Sequence, residues 1–304
     1  MTTNYETAGD LLGAWRDDLL TGERAPRWAV GDRTFDPIEL GPGLVMLLGG
    51  APGAGKTALA MQWTLDALRL SDSLRALVVN VETAPAVLLD RQLARLSGIP
   101  LATVRDREFG ELHGERLAFG FDALEAVADR LALLSPPFDL PSIAKAADGF
   151  GADLLVLDYA QRIDAQGSAT GPHADKRNAV NVLMDYLRRF AGAGIGVLAL
   201  AAVGRTKDAK GRSSYAAEGL GLASFRESSE LEFGCDSAYM LTRGRGPDTA
   251  DLRCLKNRHG EPVDLRLRFD GSLQRFEPLD GFATDADGAA AETLADLWNA
   301  EGAA

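Results

Sequence analysis

A loop that could bind phosphate is the most specific chemical feature of the sequence. Residues 50–57, called the P-loop below, match the pattern GxxxxGK[ST] and lie between an apolar run and a helical pattern. Glycines let backbone N–H groups curve around phosphate oxygens, and the following helix adds its positive end. We expect Lys56 to reach the β- and γ-phosphates of ATP and the Thr57 hydroxyl to bind Mg²⁺. The predicted nucleotide-binding residues of this loop are Gly50, Ala51, Pro52, Gly53, Ala54, Gly55, Lys56 and Thr57.

Two carboxylates follow apolar runs and could complete the chemistry of phosphate transfer. Asp158 lies near the end of the run LLVLDY (154–159). An aspartate at the carboxyl end of a buried parallel strand faces the crevice where ligands bind, so it could hold Mg²⁺ directly or through water. Glu82 follows the run ALVVNV (76–81). A carboxylate there, beside the strand of the P-loop, could position and polarise the attacking water, or it could cap the helix that begins near Ala84.

Short apolar runs that alternate with helical patterns would position these residues. The apolar runs cover 44–49, 76–81, 131–135, 154–159 and 196–202. The helical patterns lie near 56–70, 84–97, 119–130, 140–149 and 174–191. This alternation predicts an α/β fold with a mostly parallel central sheet that helices cover on both faces. The later runs 237–242, 251–256 and 264–269 have short connections, which favours antiparallel strands added at one edge.

Both ends of the chain depart from this pattern. Thr7 and Asp10 have capping-box spacing for an amphipathic helix over 7–21, which could fold back on its own domain. The segment 22–42 is rich in glycine, proline and charge and is typical of a linker. The segment 280–304 has six acidic residues and no basic one. We predict a helical arm over 1–30, a nucleotide-binding domain over 31–278 and an acidic tail over 279–304.

Composition and charge argue against a basic nucleic-acid coat protein and against a secreted or membrane protein. The chain has 304 residues and a formal net charge of −12, so it can bury a large core and is unlike a basic nucleic-acid coat. A local basic patch is still compatible with this charge. The two cysteines have no CxxC spacing, which is typical of a reduced protein of the cytoplasm. No secretory signal and no apolar run of membrane-spanning length is visible, so we expect a cytoplasmic protein without membrane contact.

Five motifs in order resemble the C-terminal ATPase domain of DnaB-type replicative helicases, over roughly residues 30–276. The motifs are the P-loop with its helix, NVETAPAVLLDRQLA (80–94), LLVLDYAQRI (154–163), RESSELEFGCDSAYML (226–241) and LKNRHGEPVDLRLRFDGSLQRFE (255–277). The resemblance implies a RecA-like P-loop NTPase fold, with Glu82 as the catalytic glutamate and with Asp158 and Gln161 in the motif that supports metal and nucleotide. The family's basic pair falls on Lys256 and Arg258, which would reach the nucleotide of the neighbouring subunit.

The same resemblance implies an assembly and a partner. Members of the family form homo-oligomeric rings, usually of six subunits, and couple ATP hydrolysis to movement along single-stranded DNA. In place of their N-terminal domain we expect only the short arm 1–30, in which the helix 7–21 could stand in for the linker helix that packs on an adjacent subunit. Where the family has a glutamine that senses the γ-phosphate, this chain has Ala202. Gln161 could partly substitute for that glutamine.

Two glycine-containing segments with a basic character could contact the DNA backbone. The segment 203–222 carries Arg205, Lys207, Lys210 and Arg212, and the segment 164–177 carries Lys176 and Arg177. Basic loops of this kind suit phosphate contact without readout of bases. A solvated loop without a ligand would have the same composition.

Two functions of different classes fit these observations. The first is a ring-shaped motor in which Lys56, Glu82, Lys256 and Arg258 serve catalysis and ATP hydrolysis moves single-stranded DNA. The second is a RecA-like ATPase switch or scaffold without helicase activity, in a plasmid, phage or defence system, and Ala202 favours it. A small-molecule kinase is a weaker third alternative, because no lid or acceptor pocket is readable.

Overall fold

The computed structural model describes residues 5–22, 26–163, 176–203, 206–207, 213–214, 234–244 and 246–279. Residues 176–180, 206–207 and 213–214 are described by their backbone alone. Within these ranges the helices are α1 Ala8–Thr21, α2 Lys56–Leu70, α3 Pro85–Ser97, α4 Leu101–Asp106, α5 Gly114–Glu125, α6 Leu140–Phe150 and α7 Lys176–Gly192.

A central sheet organises the described residues. Its strands are β1 Val45–Gly50, β2 Ala76–Asn80, β3 Leu131–Leu133, β4 Leu154–Asp158, β5 Gly196–Ala202, β8 Ser237–Arg243, β9 Thr249–Asn257, β10 Leu265–Asp270 and β11 Arg275–Pro278. They lie in the order β11-β10-β9-β8-β1-β5-β4-β2-β3. Two further short strands, β6 Thr206–Lys207 and β7 Ser213–Ser214, pair with each other in an antiparallel ladder. The predicted α/β fold, mostly parallel with antiparallel strands at one edge, is confirmed.

Residues of the central strands are buried on both faces of the sheet. In β1, Met46 and Leu48 pack in the cluster that contains α2, while Val45 and Leu47 pack in the cluster that contains α6 and α7. Each strand therefore needs apolar side chains at odd and even positions alike, which explains the near-continuous apolar runs of the sequence. The two layers hold the carboxyl ends of the parallel strands at one edge, where the P-loop begins.

Two predictions about strand neighbours are wrong. The strand before Glu82 does not lie beside the P-loop strand, because β5 and β4 stand between β2 and β1. The burial patterns of β1, β2, β4 and β5 are nearly the same, so the apolar runs do not determine which of these strands are neighbours. β8 is antiparallel only to β9 and runs parallel to β1. The short connections follow β8, whereas a long stretch of chain separates β5 from β8 and permits a parallel crossover.

Some element boundaries also differ from the prediction. The helix predicted over 119–130 is α5, which begins at Gly114, and a 3₁₀ turn follows at Ala128–Arg130. No side chain caps the start of α5, so the sequence carries no start signal there. The prediction also missed α4 and β11, which are short elements that depend on tertiary packing.

The predicted N-terminal helix is confirmed as α1, with its capping box. The Thr7 hydroxyl accepts from the N–H of Asp10, and the Asp10 carboxylate accepts from the N–H of Thr7. α1 has no buried residue. After it, Trp28 forms a β-bridge with Leu40, and this segment packs against the core of the sheet.

Candidate active site

The P-loop is a tight backbone turn between β1 and α2. Gly53 and Gly55 have φ angles of 76° and 95°, a left-handed conformation that only glycine adopts without strain. The N–H of Ala54 donates to the carbonyl of Ala51 at 3.1 Å and closes the turn. The first N–H groups of α2, from Lys56 onward, have no partner inside the helix and face the place where a phosphate would bind.

We expect Gly55→Ala to lower the free energy of unfolding by about 1–3 kcal/mol, because a Cβ at this φ angle is strained. That Cβ would also lie 2.8 Å from the ring of Phe276. The matched control is Gly149→Ala in α6, where a Cβ meets nothing within 4 Å and should stabilise by about 0.5–1 kcal/mol. Urea unfolding monitored by circular dichroism measures both. Equal stability of the Gly55 variant and the wild type would contradict the assigned strain.

The ammonium of Lys56 lies over the P-loop. Its Nζ donates to the carbonyl oxygens of Gly50 at 2.8 Å and of Ala51 at 3.1 Å. Burial lowers the pKa of Lys56, and the carboxylates of Asp158 and Glu82 act in the opposite direction. A partly desolvated cation that contacts only neutral carbonyls here would gain a charge-assisted hydrogen bond from a phosphate oxygen.

Thr57 and Asp158 bring a hydroxyl and a carboxylate together. The Thr57 Oγ1 donates to Asp158 Oδ2 at 2.7 Å, and Asn80 Nδ2 donates to the same oxygen at 2.6 Å. Burial raises the pKa of Asp158, while the hydrogen bond from Thr57 and the charge of Lys56 oppose that rise. The described residues contain no cluster of three or more His, Cys, Asp or Glu that could hold a metal. These oxygens fit Mg²⁺, which takes one or two protein oxygens together with substrate phosphates and water.

Asn80 also fixes the backbone that carries Glu82. Its Oδ1 accepts from the N–H of Glu82 at 3.0 Å and from the N–H of Thr83 at 2.6 Å. α3 begins at Pro85 after Ala84, and no side-chain hydrogen bond caps it. Glu82 therefore does not cap α3. The other predicted role, which is to position the attacking water, stays a prediction.

One cleft of about 420 Å³ at the carboxyl edge of the sheet brings the predicted residues together. Its lining residues are Pro52, Gly53, Gly55, Lys56, Thr57, Ala58, Glu82, Arg91, Asp158, Tyr159, Ala202, Phe269 and Gln274. The P-loop, the Asp158 carboxylate and Glu82 thus share one space although three different strands carry them. This grouping is the arrangement that phosphate transfer to water requires.

An aromatic wall of the cleft was not predicted. Phe269, at the end of β10, stacks on Phe276 of β11 with ring centroids 4.4 Å apart. Gln62 of α2 pins this hairpin to the P-loop helix, because its amide donates to the Phe276 carbonyl at 2.8 Å and accepts from the Phe276 N–H at 2.9 Å. Gln274 completes the wall. An apolar ring beside a P-loop offers a surface on which a nucleotide base can stack.

Gln161 does not line the cleft with the other predicted residues. Its Nε2 donates to the carbonyl of Ala202 at 3.0 Å, and its Oε1 accepts from the N–H of Ala202 at 3.1 Å. Both polar ends of the amide are therefore bonded to the end of β5. Gln161 links β5 to the turn that follows β4.

Arg258 and Lys256 lie at the opposite edge of the sheet. The N–H of Arg258 donates to the carbonyl of Asp236, whose own N–H donates to the carbonyl of Val45 at the start of β1. The P-loop follows the other end of β1, about 16 Å away along the strand. Neither cation can thus reach the P-loop of its own chain without a large movement. The Lys256 ammonium donates to the Cys235 carbonyl at 2.7 Å.

Asp236 forms ion pairs with two arginines at the edge of the sheet opposite the P-loop. It forms a two-bond ion pair with Arg188, at 2.9 and 3.1 Å, and lies 3.3 Å from Arg258 Nη1. Burial alone would raise the pKa of Asp236, but the hydrogen bonds from Arg188 and Val45 and the charges of both arginines hold it below its usual value. Asp236 belongs to the motif 226–241, of which the structure describes residues 234–241.

Most of the predicted DNA contacts fall outside the described side chains. Arg205, Lys210 and Arg212 lie outside the described residues. Arg226 and Glu232 of the motif 226–241, which are not among the predicted DNA contacts, also lie outside them. Lys176 and Arg177 belong to the first turn of α7, and Lys207 belongs to β6, with only the backbone described. Their predicted contact with DNA is untested.

One family model matches this chain, and solved structures share its fold. The sequence profile named DnaB-like helicase C terminal domain matches residues 38–278. The structure of a DnaB-like replicative helicase, studied with its interactions with primase, aligns with a TM-score of 0.73 at 15% identity over 91% of this chain and 68% of that one. A second solved structure, described as an ATPase domain, aligns with the same score and identity over 91% of this chain and all of that one. No curated protein sequence matches.

No helix among the described residues is long and apolar enough to cross a bilayer.

Proposed function

The chain belongs to the family of DnaB-like helicase C-terminal domains and is an ATPase of that family, and we propose that it couples ATP hydrolysis to movement along single-stranded DNA. The observation that carries the chemical part is the meeting of Lys56, Thr57, Asp158 and Glu82 in one cleft. The charge of the chain, −12, means that DNA contact would depend on local basic segments.

Positioning and charge stabilisation do most of the proposed catalysis. The P-loop N–H groups and the Lys56 ammonium would hold the β- and γ-phosphates and stabilise charge that develops on them. Thr57 and Asp158 would hold Mg²⁺, which supplies further positive charge to the phosphates when bound. Glu82 would orient the attacking water and accept its proton, since its carboxylate borders the same cleft.

The aromatic wall gives the proposed site a place for the base. Phe269 presents a ring at the end of β10, and Gln274 lies beside it with amide groups that can hydrogen-bond a purine edge. Because Gln62 pins the hairpin to α2, the base and phosphate sites keep a fixed distance. This arrangement supports ATP as the substrate.

Assembly into a ring, with six subunits as in the family, is the second part of the proposal. The side chains of α1 support it, since Leu11, Trp15, Leu19 and Leu20 are each about half exposed or more. A second exposed apolar set occurs on and near α3 and α5, with Phe119 the most prominent ring at 60% exposure. Apolar surfaces of this kind are typical of protein–protein contacts. Arg258 and Lys256, at the edge away from their own P-loop, would complete the site of a neighbour.

The predicted DNA contacts are kept in this proposal. Arg205, Lys207, Lys210 and Arg212 would contact the phosphate backbone from one segment, and Lys176 and Arg177 would do so from the other. A ring would bring several copies of each segment to a central pore and multiply a modest local charge.

The alternative is an ATPase switch or scaffold that does not unwind DNA. Ala202 favours it, because a methyl group cannot report on a γ-phosphate as the family's glutamine does. Mass measurement with and without ATP and single-stranded DNA separates the two proposals. A ring that forms and hydrolyses ATP faster with DNA supports the motor, whereas ATP-driven assembly without DNA-stimulated hydrolysis or strand separation supports the switch.

We expect Glu82→Gln to lower the turnover number for ATP about 10²-fold while ATP binding is retained. The amide has the same shape as the carboxylate but cannot accept a proton from water. Phosphate release measures turnover, and titration with a fluorescent ATP analogue measures binding.

Glu125→Gln is the matched control for this variant. Glu125 is an exposed glutamate at the end of α5, away from the cleft, so its replacement should change neither quantity. Wild-type turnover in the Glu82 variant would exclude Glu82 as the residue that activates water.

A further inference from the structure

Glu82 has an ion-pair partner that sequence analysis did not predict. Its Oε1 lies 2.8 Å from Nη1 of Arg162, and the two side chains are 49% and 56% exposed. Asn80 fixes the backbone of Glu82, so the direction of the carboxylate is the part of this residue that remains adjustable. The ion pair with Arg162 fixes that direction.

Arg162 lies between the end of β4 and a segment that is predicted to contact DNA. It ends the 3₁₀ turn Ala160–Arg162, directly after the metal-site residue Asp158 at the end of β4. In the same turn, Gln161 bonds both of its amide ends to the backbone of Ala202. The two segments predicted to contact DNA follow at once, since one begins at residue 164 and the other at residue 203. A displacement of either segment would therefore be transmitted to Arg162.

We propose that Arg162 is a positioning residue that holds the Glu82 carboxylate in a resting direction, and that single-stranded DNA releases it. This inference rests on the proposed function, in which Glu82 accepts a proton from water. The ion pair directs Oε1 of Glu82 toward Arg162, and in the proposed mechanism this carboxylate must instead be directed toward a water at the phosphates. Because Arg162 lies next to the predicted DNA segments, a DNA phosphate can compete for it as a bidentate partner.

The ion pair of Glu82 with Arg162 is exposed to solvent, and this exposure makes it easy for DNA to break. Ion pairs between half-exposed side chains are weak, so a modest new contact can break them. The pair also joins two different turns, one after β2 and one after β4. If the ion pair had a purely structural role, its removal would lower the free energy of unfolding. Because exposed ion pairs are weak, we expect its removal to change that free energy very little.

Arg162→Ala is the test, with Arg162→Lys as the conservative variant. Without DNA, Arg162→Ala should raise the turnover number about two- to fivefold, the range that corresponds to loss of an exposed ion pair. The KM for ATP should stay unchanged, and the stimulation by single-stranded DNA should fall by the same factor. Arg162→Lys retains a cation for Glu82 and should stay close to the wild type. Arg105→Ala removes a comparably exposed pair with Asp106, on α4, and serves as the matched control.

Two outcomes overturn the inference. An unchanged or lower basal turnover in Arg162→Ala excludes a resting restraint, and an equal rise in Arg105→Ala makes the effect nonspecific. The double variant Arg162→Ala/Glu82→Gln should turn over no faster than Glu82→Gln alone, because Arg162 acts through Glu82. If Glu82→Gln is itself fully active, the proposed function fails, whereas an inactive Glu82→Gln with an inert Arg162→Ala refutes the restraint alone.

Discussion

Replacing Lys56 with alanine should lower ATP turnover about 10²- to 10³-fold, the range for loss of one preorganised donor at developing charge. The carbonyls of Gly50 and Ala51 hold the Lys56 ammonium over the P-loop, so the backbone of the loop sets its position. Its partial burial, which lowers its pKa, also strengthens its interaction with phosphate relative to water. Phosphate release at saturating ATP measures the loss.

The control for the Lys56 variant is a lysine that contacts no part of the cleft. Lys145 is exposed on α6, which covers the far face of the sheet, and Lys145→Ala should keep wild-type turnover. Thermal unfolding of both variants checks that each remains folded. Unchanged turnover in a folded Lys56→Ala protein would remove the P-loop from the proposed mechanism.

The chemical part of the site could be predicted because its signals are local in the sequence. The P-loop is a contiguous pattern, and its glycines at 53 and 55 carry the positive φ angles that such a turn needs. Asp158 and Glu82 could be placed at one edge because both follow strands of a parallel sheet, whose carboxyl ends meet there. The inference for Asp158 required no knowledge of which strands are neighbours. The inference for Glu82 assumed a strand beside that of the P-loop, which is wrong, yet Glu82 still lines the same cleft.

The neighbours themselves could not be predicted from local signals. Several strands have the same two-faced apolar pattern, so nothing in the runs themselves specifies that β5 and β4 separate β1 from β2. The aromatic wall depends on the pairing of β10 with β11 and on the contact of Gln62 with that hairpin, over a separation of 214 residues. The ion pair of Glu82 with Arg162 spans 80 residues and also exists only after folding.

Gln161 illustrates how a motif resemblance can leave the role of a residue open. Its position in the motif after β4 suggested contact with the nucleotide. In the structure both ends of its amide are bonded to Ala202, where the resemblance places a glutamine in the family. A link between backbones can transmit displacement, but an amide already bonded at both ends has little capacity left for a phosphate. This is why we assign the coupling role to the neighbouring Arg162.

Replacing Arg258 with alanine should lower ATP turnover about 10³-fold in the assembled protein, the lower end of the range for an arginine that stabilises transferred phosphate from a neighbour. The location of Arg258, about 16 Å along β1 from its own P-loop, is the reason to expect action across a subunit interface. Arg266→Ala on β10 is the matched control, since it removes an exposed arginine paired with Asp251. That variant should keep wild-type turnover.

Mixing two inactive variants tests whether Arg258 acts in a neighbouring subunit. A subunit with Arg258→Ala retains its own Glu82, and a subunit with Glu82→Gln retains its own Arg258. When equal amounts are assembled together at random, about a quarter of the interfaces in a head-to-tail ring pair an intact cleft with an intact arginine. Turnover should therefore recover to as much as about a quarter of the wild-type value, far above either variant alone. Absence of recovery in mixed assemblies of confirmed composition would place Arg258 outside its neighbour's site, because an arginine that serves its own cleft cannot be supplied by another chain.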